Sequence, residues 1–150
     1  MLDAARITLA LVLALPLACD DKKDDAPAKA DGPATVEKVE GKISVGGKEA
    51  EVTACKVVPK KQGTALELTL DSGLTVISDA MDGMQWRKGE GAAEKLTCER
   101  MASQLSGGKA GSGAWSTGKL GLTCEHADGS IEADLTIDCG VVDRPSNRKS

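Results

Sequence analysis

A chain of 150 residues with a formal net charge of -4 and no run of basic residues interleaved with aromatics is not built to neutralise a phosphate backbone, so nucleic acid is excluded as a partner. There is no Phe or Tyr, and the only large rings are Trp86 and Trp115, so Leu, Val and Ile must fill the core at roughly 1.5–3 kcal/mol for each side chain fully buried. A folded part of about 110 residues buries only a modest share of its surface, and covalent cross-links are expected to help it.

The first element is the apolar run Leu9 to Ala18, shorter than the roughly 20 residues that cross a bilayer as a helix and ending at a small residue before Cys19. Residues 1–18 therefore read as a signal peptide for export. Its Leu-rich centre and its Ala18-Cys19 junction resemble a bacterial lipoprotein signal. The resemblance implies that Cys19 becomes the first residue, with a diacylglycerol on its sulfur and an acyl chain, as in a palmitate-bearing lipoprotein, on its amino group. It also implies a membrane as partner through that anchor, at the periplasmic or outer-membrane face of the cell envelope; a secreted protein cut near Ala18 is the alternative. Asp20 resembles the residue that retains lipoproteins in the inner membrane of enteric bacteria, a rule that does not extend to other lineages, so the choice of membrane stays open.

Residues 19–34 carry nothing to bury beyond the anchor, and Asp20-Asp21-Lys22-Lys23-Asp24-Asp25 with the following Ala, Pro and Lys residues reads as a disordered tether. The Asp pairs lack the regular spacing of oxygen ligands that a calcium loop needs.

From Thr35 to Val142 the apolar residues alternate, which predicts an all-β domain of antiparallel hairpins. The first strand covers Thr35 to Val39 or merges with Lys42 to Val45, and Gly46-Gly47 makes a two-residue turn that sets Val45 opposite Lys48 and Ile43 opposite Ala50. A bulge near Thr53 to Cys55 would let the two halves of the returning strand face the same way. Pro59 to Gly63 reads as a loop. Leu66, Leu68 and Leu70 then alternate with polar residues, Asp71-Ser72-Gly73 reverses the chain, and Leu74 to Ile77 returns.

Residues 78–94 look irregular, and Met81, Met84 and Trp86 stand out there as a candidate contact patch, because Met and Trp are favoured where surfaces meet; the alternative is that they cover an open end of the core. Leu96 and Cys98 predict a short strand, Glu99 to Leu105 one or two helical turns, and Ser106 to Gly113 a flexible glycine loop. In the last hairpin Leu120, Leu122 and Cys124 share a face, as do Ile131, Ala133, Leu135, Ile137 and Cys139. With Asp128-Gly129 as the turn, Leu122 faces Leu135 and Cys139 faces Gly118. Residues 143–150 form a frayed tail.

Five cysteines leave one over, and a lipid on Cys19 accounts for it. Cys55, Cys98, Cys124 and Cys139 are then an even set for two disulfides in an oxidising compartment. No metal is expected of them, since their long separations lack the Cys-x2-4-Cys knuckle of structural zinc, and no cofactor is called for. In the last hairpin Cys124 and Cys139 stand about 20 Å apart along the strand, whereas bridged Cα atoms sit about 5.5 Å apart, so they do not pair with each other. Two connectivities remain. Cys55-Cys139 with Cys98-Cys124 is preferred on the view that the terminal strand closes against an early one. The body is then a small sandwich or a partly open barrel, stapled by disulfides.

Val45-Gly46-Gly47-Lys48 leading into Val52-Thr53-Ala54-Cys55, and the closing Ile131 to Cys139, also resemble the mycobacterial lipoprotein-antigen (LpqH-like) family. That resemblance implies a surface-exposed, non-enzymatic β domain and the Cys55-Cys139 bond.

Three functions follow in decreasing order of support. The first is a non-catalytic envelope lipoprotein with a structural or interaction role, its partner another envelope protein. The second is a membrane-tethered binding module that takes a small molecule or inhibits a protein through Met81, Met84, Trp86 and the Gly107 to Gly113 loop. The third is an enzyme using carboxylates among Glu67, Asp71, Asp79, Asp82, Glu132 and Asp134, although alternation with Leu and Ile is what a wet sheet face produces anyway. His126, the only histidine, falls in a turn as a solvated residue with no second base or nucleophile beside it, so no catalytic residue is assigned.

Overall fold

Ten strands form among residues 34–144, which are the residues that the computed structural model of the protein describes. The signal peptide, Cys19, the tether up to residue 33 and residues 145–150 lie outside the described residues. In chain order the strands are β1 (Thr35–Val45), β2 (Lys48–Ala50), β3 (Val52–Pro59), β4 (Thr64–Leu70), β5 (Leu74–Asp79), β6 (Gly83–Lys88), β7 (Glu94–Lys95), β8 (Thr97–Ala110), β9 (Gly113–Glu125) and β10 (Ile131–Val141). They make two separate five-stranded antiparallel sheets, ordered β2-β1-β10-β9-β8 and β3-β4-β5-β6-β7, stacked as an open sandwich and not closed into a barrel. The chain steps from the first sheet to the second at Glu51 and back again at Leu96.

Alternation explains which side of each strand is dry. On β10, Ile131, Ala133, Leu135, Ile137, Cys139 and Val141 are all buried, while Glu132, Asp134 and Thr136 between them are exposed. These residues meet Leu120, Leu122 and Cys124 of β9 from beside and Leu66, Leu68, Leu70 and Val76 of the second sheet from across. Where β1 lies against β10, Gly41 has φ +123°, and a Cβ there would run into the Asp134 carbonyl oxygen. Only glycine fits that close approach without strain.

The first hairpin has the register read from Gly46-Gly47, with Val45 opposite Lys48 and Ile43 opposite Ala50, and β1 is one unbroken strand. The register on β3 slips between Val52 and Ala54, a bulge that turns Val52 and Cys55 toward the same sheet face. The β4–β5 hairpin also follows its alternation.

Three expectations are corrected. Residues 83–88 form β6, because Met84 and Trp86 alternate with Gln85 and Arg87 and pair with β5. Glu99 to Leu105 is not helical and Ser106 to Ala110 is not a loop: both belong to β8, which pairs along β9 with a bulge at Glu99 and turns at Gly111-Ser112. In the last hairpin the register is displaced, with Leu122 opposite Ala133 and Cys139 opposite Ser116. The cause is the turn, which closes with Gly129 N–H donating to the His126 carbonyl at 3.0 Å and so centres on Ala127-Asp128.

Cys55 is bonded to Cys139, with Cα atoms 6.1 Å apart, joining β3 of one sheet to β10 of the other. Cys98 is bonded to Cys124 between the neighbouring strands β8 and β9.

Candidate functional site

The second sheet does not cover the whole of the first. The inner face of β8 projects past it, and a cleft of about 500 Å³ opens between the later half of β8 and the near ends of β4 and β5. Leu66 and Leu105 form its apolar floor, and the hydroxyls of Thr64, Ser78, Ser103 and Ser116 line it. Gly107 belongs to the construction: a Cβ there would lie 2.9 Å from the Trp115 carbonyl oxygen and 3.1 Å from Thr64 Oγ1. The glycine thus lets the two sheets approach at this rim. Lys109 brings the one charge among the lining residues, and its Nζ donates to the Lys61 carbonyl at 3.3 Å. Such a surface can take hydrogen bonds and apolar contacts, but it brings no acid–base pair to one point.

The carboxylates singled out from the sequence are dispersed. Glu67 lies on the outer side of the second sheet, where Arg87 reaches across β5 and donates from Nη2 to Oε2 at 2.8 Å. Asp71 accepts the Glu51 N–H at 3.3 Å. Asp79, almost fully buried, organises the β5–β6 turn: its Oδ1 accepts the Met81 N–H at 2.8 Å and the Asp82 N–H at 3.1 Å, and its Oδ2 pairs with Lys60 at 3.3 Å. The Met81 N–H in particular holds the Asp79 carboxyl below the ordinary carboxylate range, against the opposing effect of burial, and the Asp82 N–H and Lys60 add to it. Asp82 is exposed beside it, and Glu132 and Asp134 lie on the outer side of the other sheet. Among the described residues no three His, Cys, Asp or Glu side chains gather as a metal site would require.

The Met81, Met84 and Trp86 patch does not exist as one surface. Met84 is 5 % exposed and belongs to the core, because a strand at 83–88 turns it inward. Trp86, two residues on, faces the same way and is partly buried against the core. Met81 alone is left outside, 64 % exposed at the β5–β6 turn. His126 is likewise not solvated. Its side chain is 2 % exposed and sits edge to face with Trp86, ring centres 4.3 Å apart, while its Nδ1 accepts the Asp128 N–H at 3.1 Å. The neutral ring therefore carries its proton on Nε2. Trp86 and His126 lie toward the end of the sandwich farthest from the start of β1.

Cys19 lies outside the described residues, and Cys55, Cys98, Cys124 and Cys139 are consumed in the two bonds already described. Sequence reasoning missed the cleft and the open strand beside it. Met101 to Gly108 has no charge and no proline, but without apolar alternation these eight residues gave no sign of a strand.

No family model, no curated protein and no solved structure matches the chain.

Proposed function

We propose that the chain is an exported lipoprotein of the cell envelope, held to a membrane through acylated Cys19, whose β domain has a structural or interaction role and no catalytic one. The observation that carries this reading is the thiol count: four cysteines are joined in two disulfides within one sandwich, and the one outside it follows a signal-like apolar run. Disulfides of this kind persist outside the reducing cytoplasm. The interaction role draws support from the placement of the ionisable groups. Asp79 is committed to a turn, Glu67 to Arg87 and His126 to Trp86, and the surface left open is a long strand beside a cleft of hydroxyls and leucines. The resemblance to the mycobacterial lipoprotein-antigen family belongs to the same proposal.

The test is intact-mass analysis of the protein extracted from membranes, with and without reductant. The expected result is a chain beginning at Cys19, heavier by a diacylglyceryl and an acyl group, that gains the mass of four hydrogens on reduction. A chain recovered from the cytoplasm with its leader intact and its thiols free would overturn it.

A further inference from the structure

Charge sets the cleft between β8 and the ends of β4 and β5 apart from other hollows of the sandwich. Four of those have carboxylates in their walls: Glu51 and Asp71 between β1 and β3, Asp128 beside Gly46, Glu132 beside Lys42, and Glu37 at the start of β1. The cleft has none. Its one charge is Lys109, whose Nζ donates to the Lys61 carbonyl and meets no carboxylate among the described residues. In a chain of net charge -4 this is a local reversal of sign.

β8 lays the groups of the cleft out in order. Met101 and Ser103 stand opposite Leu122 and Leu120, which are buried between the sheets, so the odd-numbered residues from 101 to 109 face inward. Lys109, Gly107, Leu105 and Ser103 therefore follow one another along the wall at steps of about 7 Å. From the other sheet Thr64 comes up against Gly107, and Leu66 lies in the floor with Leu105. Ser116, opposite Gly107, is only 4 % exposed and lines the same place. No other described residue hydrogen-bonds to its hydroxyl or to that of Thr64. Buried hydroxyls are as a rule paired, so this serine marks a position for an oxygen of a ligand. The sequence along the cleft is thus a cation, two unpaired hydroxyls and then two leucines.

From this order we propose that the cleft binds one small anionic amphiphile, a carboxylate or phosphate monoester on a single short apolar chain. The head lies at the Lys109 end, where the ammonium keeps two N–H donors beyond the one given to Lys61 and the hydroxyls of Thr64 and Ser116 donate as well. The chain runs toward Leu105 and Leu66, about 14 Å along the strand from Lys109. Gly107 keeps the head position open, since a Cβ there would lie 3.1 Å from Thr64 Oγ1. A volume of about 500 Å³ is ordinary for a small-molecule site. A cationic ligand would meet Lys109, and a sugar would find no aromatic ring to stack on, because neither Trp86 nor Trp115 lines the cleft. The proposal names a ligand for the interaction reading and rests on it, but it does not depend on the acyl anchor.

Equilibrium dialysis of radiolabelled octanoate against the full-length protein in phosphatidylcholine nanodiscs, with empty nanodiscs subtracted, is the test. Saturable uptake of one octanoate per chain is expected. Octanol, which lacks the charge, octylammonium, which reverses it, and acetate, which lacks the chain, should each bind about tenfold more weakly or less. Lys109→Met keeps the stem, removes the charge and should weaken octanoate about tenfold. Ser116→Ala should weaken it about threefold, and Thr64→Val carries the same test if that variant does not fold. Lys119→Met, on the outer face of β9, should change nothing. No uptake beyond the empty nanodiscs, equal binding of octanol or octylammonium, full binding by Lys109→Met, or an equal loss in Lys119→Met would each overturn the proposal. Intact mass of the same sample reports acylation of Cys19 separately, so the two readings fail independently.

Discussion

β10 and β8 belong to the same sheet, one strand apart, and are treated in opposite ways. β10 is flanked on both sides, and every second residue of it is buried to within a few per cent, from Ile131 at one end to Val141 at the other. β8 is longer, is flanked on one side among the described residues, and is only partly covered, at Cys98, Leu105, Gly108 and Ala110. Each carries one end of a disulfide, yet the bond from β10 joins the two sheets and the bond from β8 joins it only to its neighbour. The lesson is that strand geometry and burial are separable: β10 is held by what packs on it, β8 chiefly by its backbone ladder and its disulfide to β9.

Removing the bonds should show the contrast at its largest. Cys55 and Cys139 are separated by 84 residues and Cys98 and Cys124 by 26, so chain entropy assigns about 4.5 kcal/mol to the first bond and about 3.5 to the second. Double alanine variants of each pair, unfolded in guanidinium, are expected to differ in that order. Next comes the packing of β10. Leu135→Ala, at 2 % exposure, should cost about 3 kcal/mol by the same measurement, within the roughly 2–5 typical of buried leucines.

A smaller effect, visible only in acid, belongs to neither strand and calibrates both. Asp79 titrates below its unfolded value near 3.8 when folded. The stability it contributes is therefore complete above the unfolded value and lost as pH falls through the lower folded one. Asp79→Asn should flatten the stability profile below about pH 4 relative to the parent protein, read from thermal midpoints. The smallest effect is on β8 itself. Met101→Ala should change unfolding free energy by less than about 0.5 kcal/mol, and a loss near that of Leu135→Ala would abolish the distinction between the strands.

How much of this was legible follows the same division. The strands that bury one face announced themselves: Leu66, Leu68 and Leu70 on β4, and Ile131 to Cys139 on β10, alternate as a half-buried sheet must. The bulge on β3 could be read from the clash of parity between Val52 and Cys55. β8 could not, because Glu99 to Ala110 has no apolar period and becomes a strand through pairing distant from local preference. The last register slipped for a local reason: Gly129 looked like the middle of a two-residue turn but closes it, and this draws His126 in against Trp86. Where the carboxylates would lie in space was not legible: Glu67 falls on one sheet, Glu132 and Asp134 on the other, and Asp71, Asp79 and Asp82 at turns.

The described chain enters and leaves at one corner, where the Val142 N–H donates to the Ala34 carbonyl at 2.9 Å. The two ends of the described chain thus leave the sandwich side by side, so a tag joined at either would emerge beside the other.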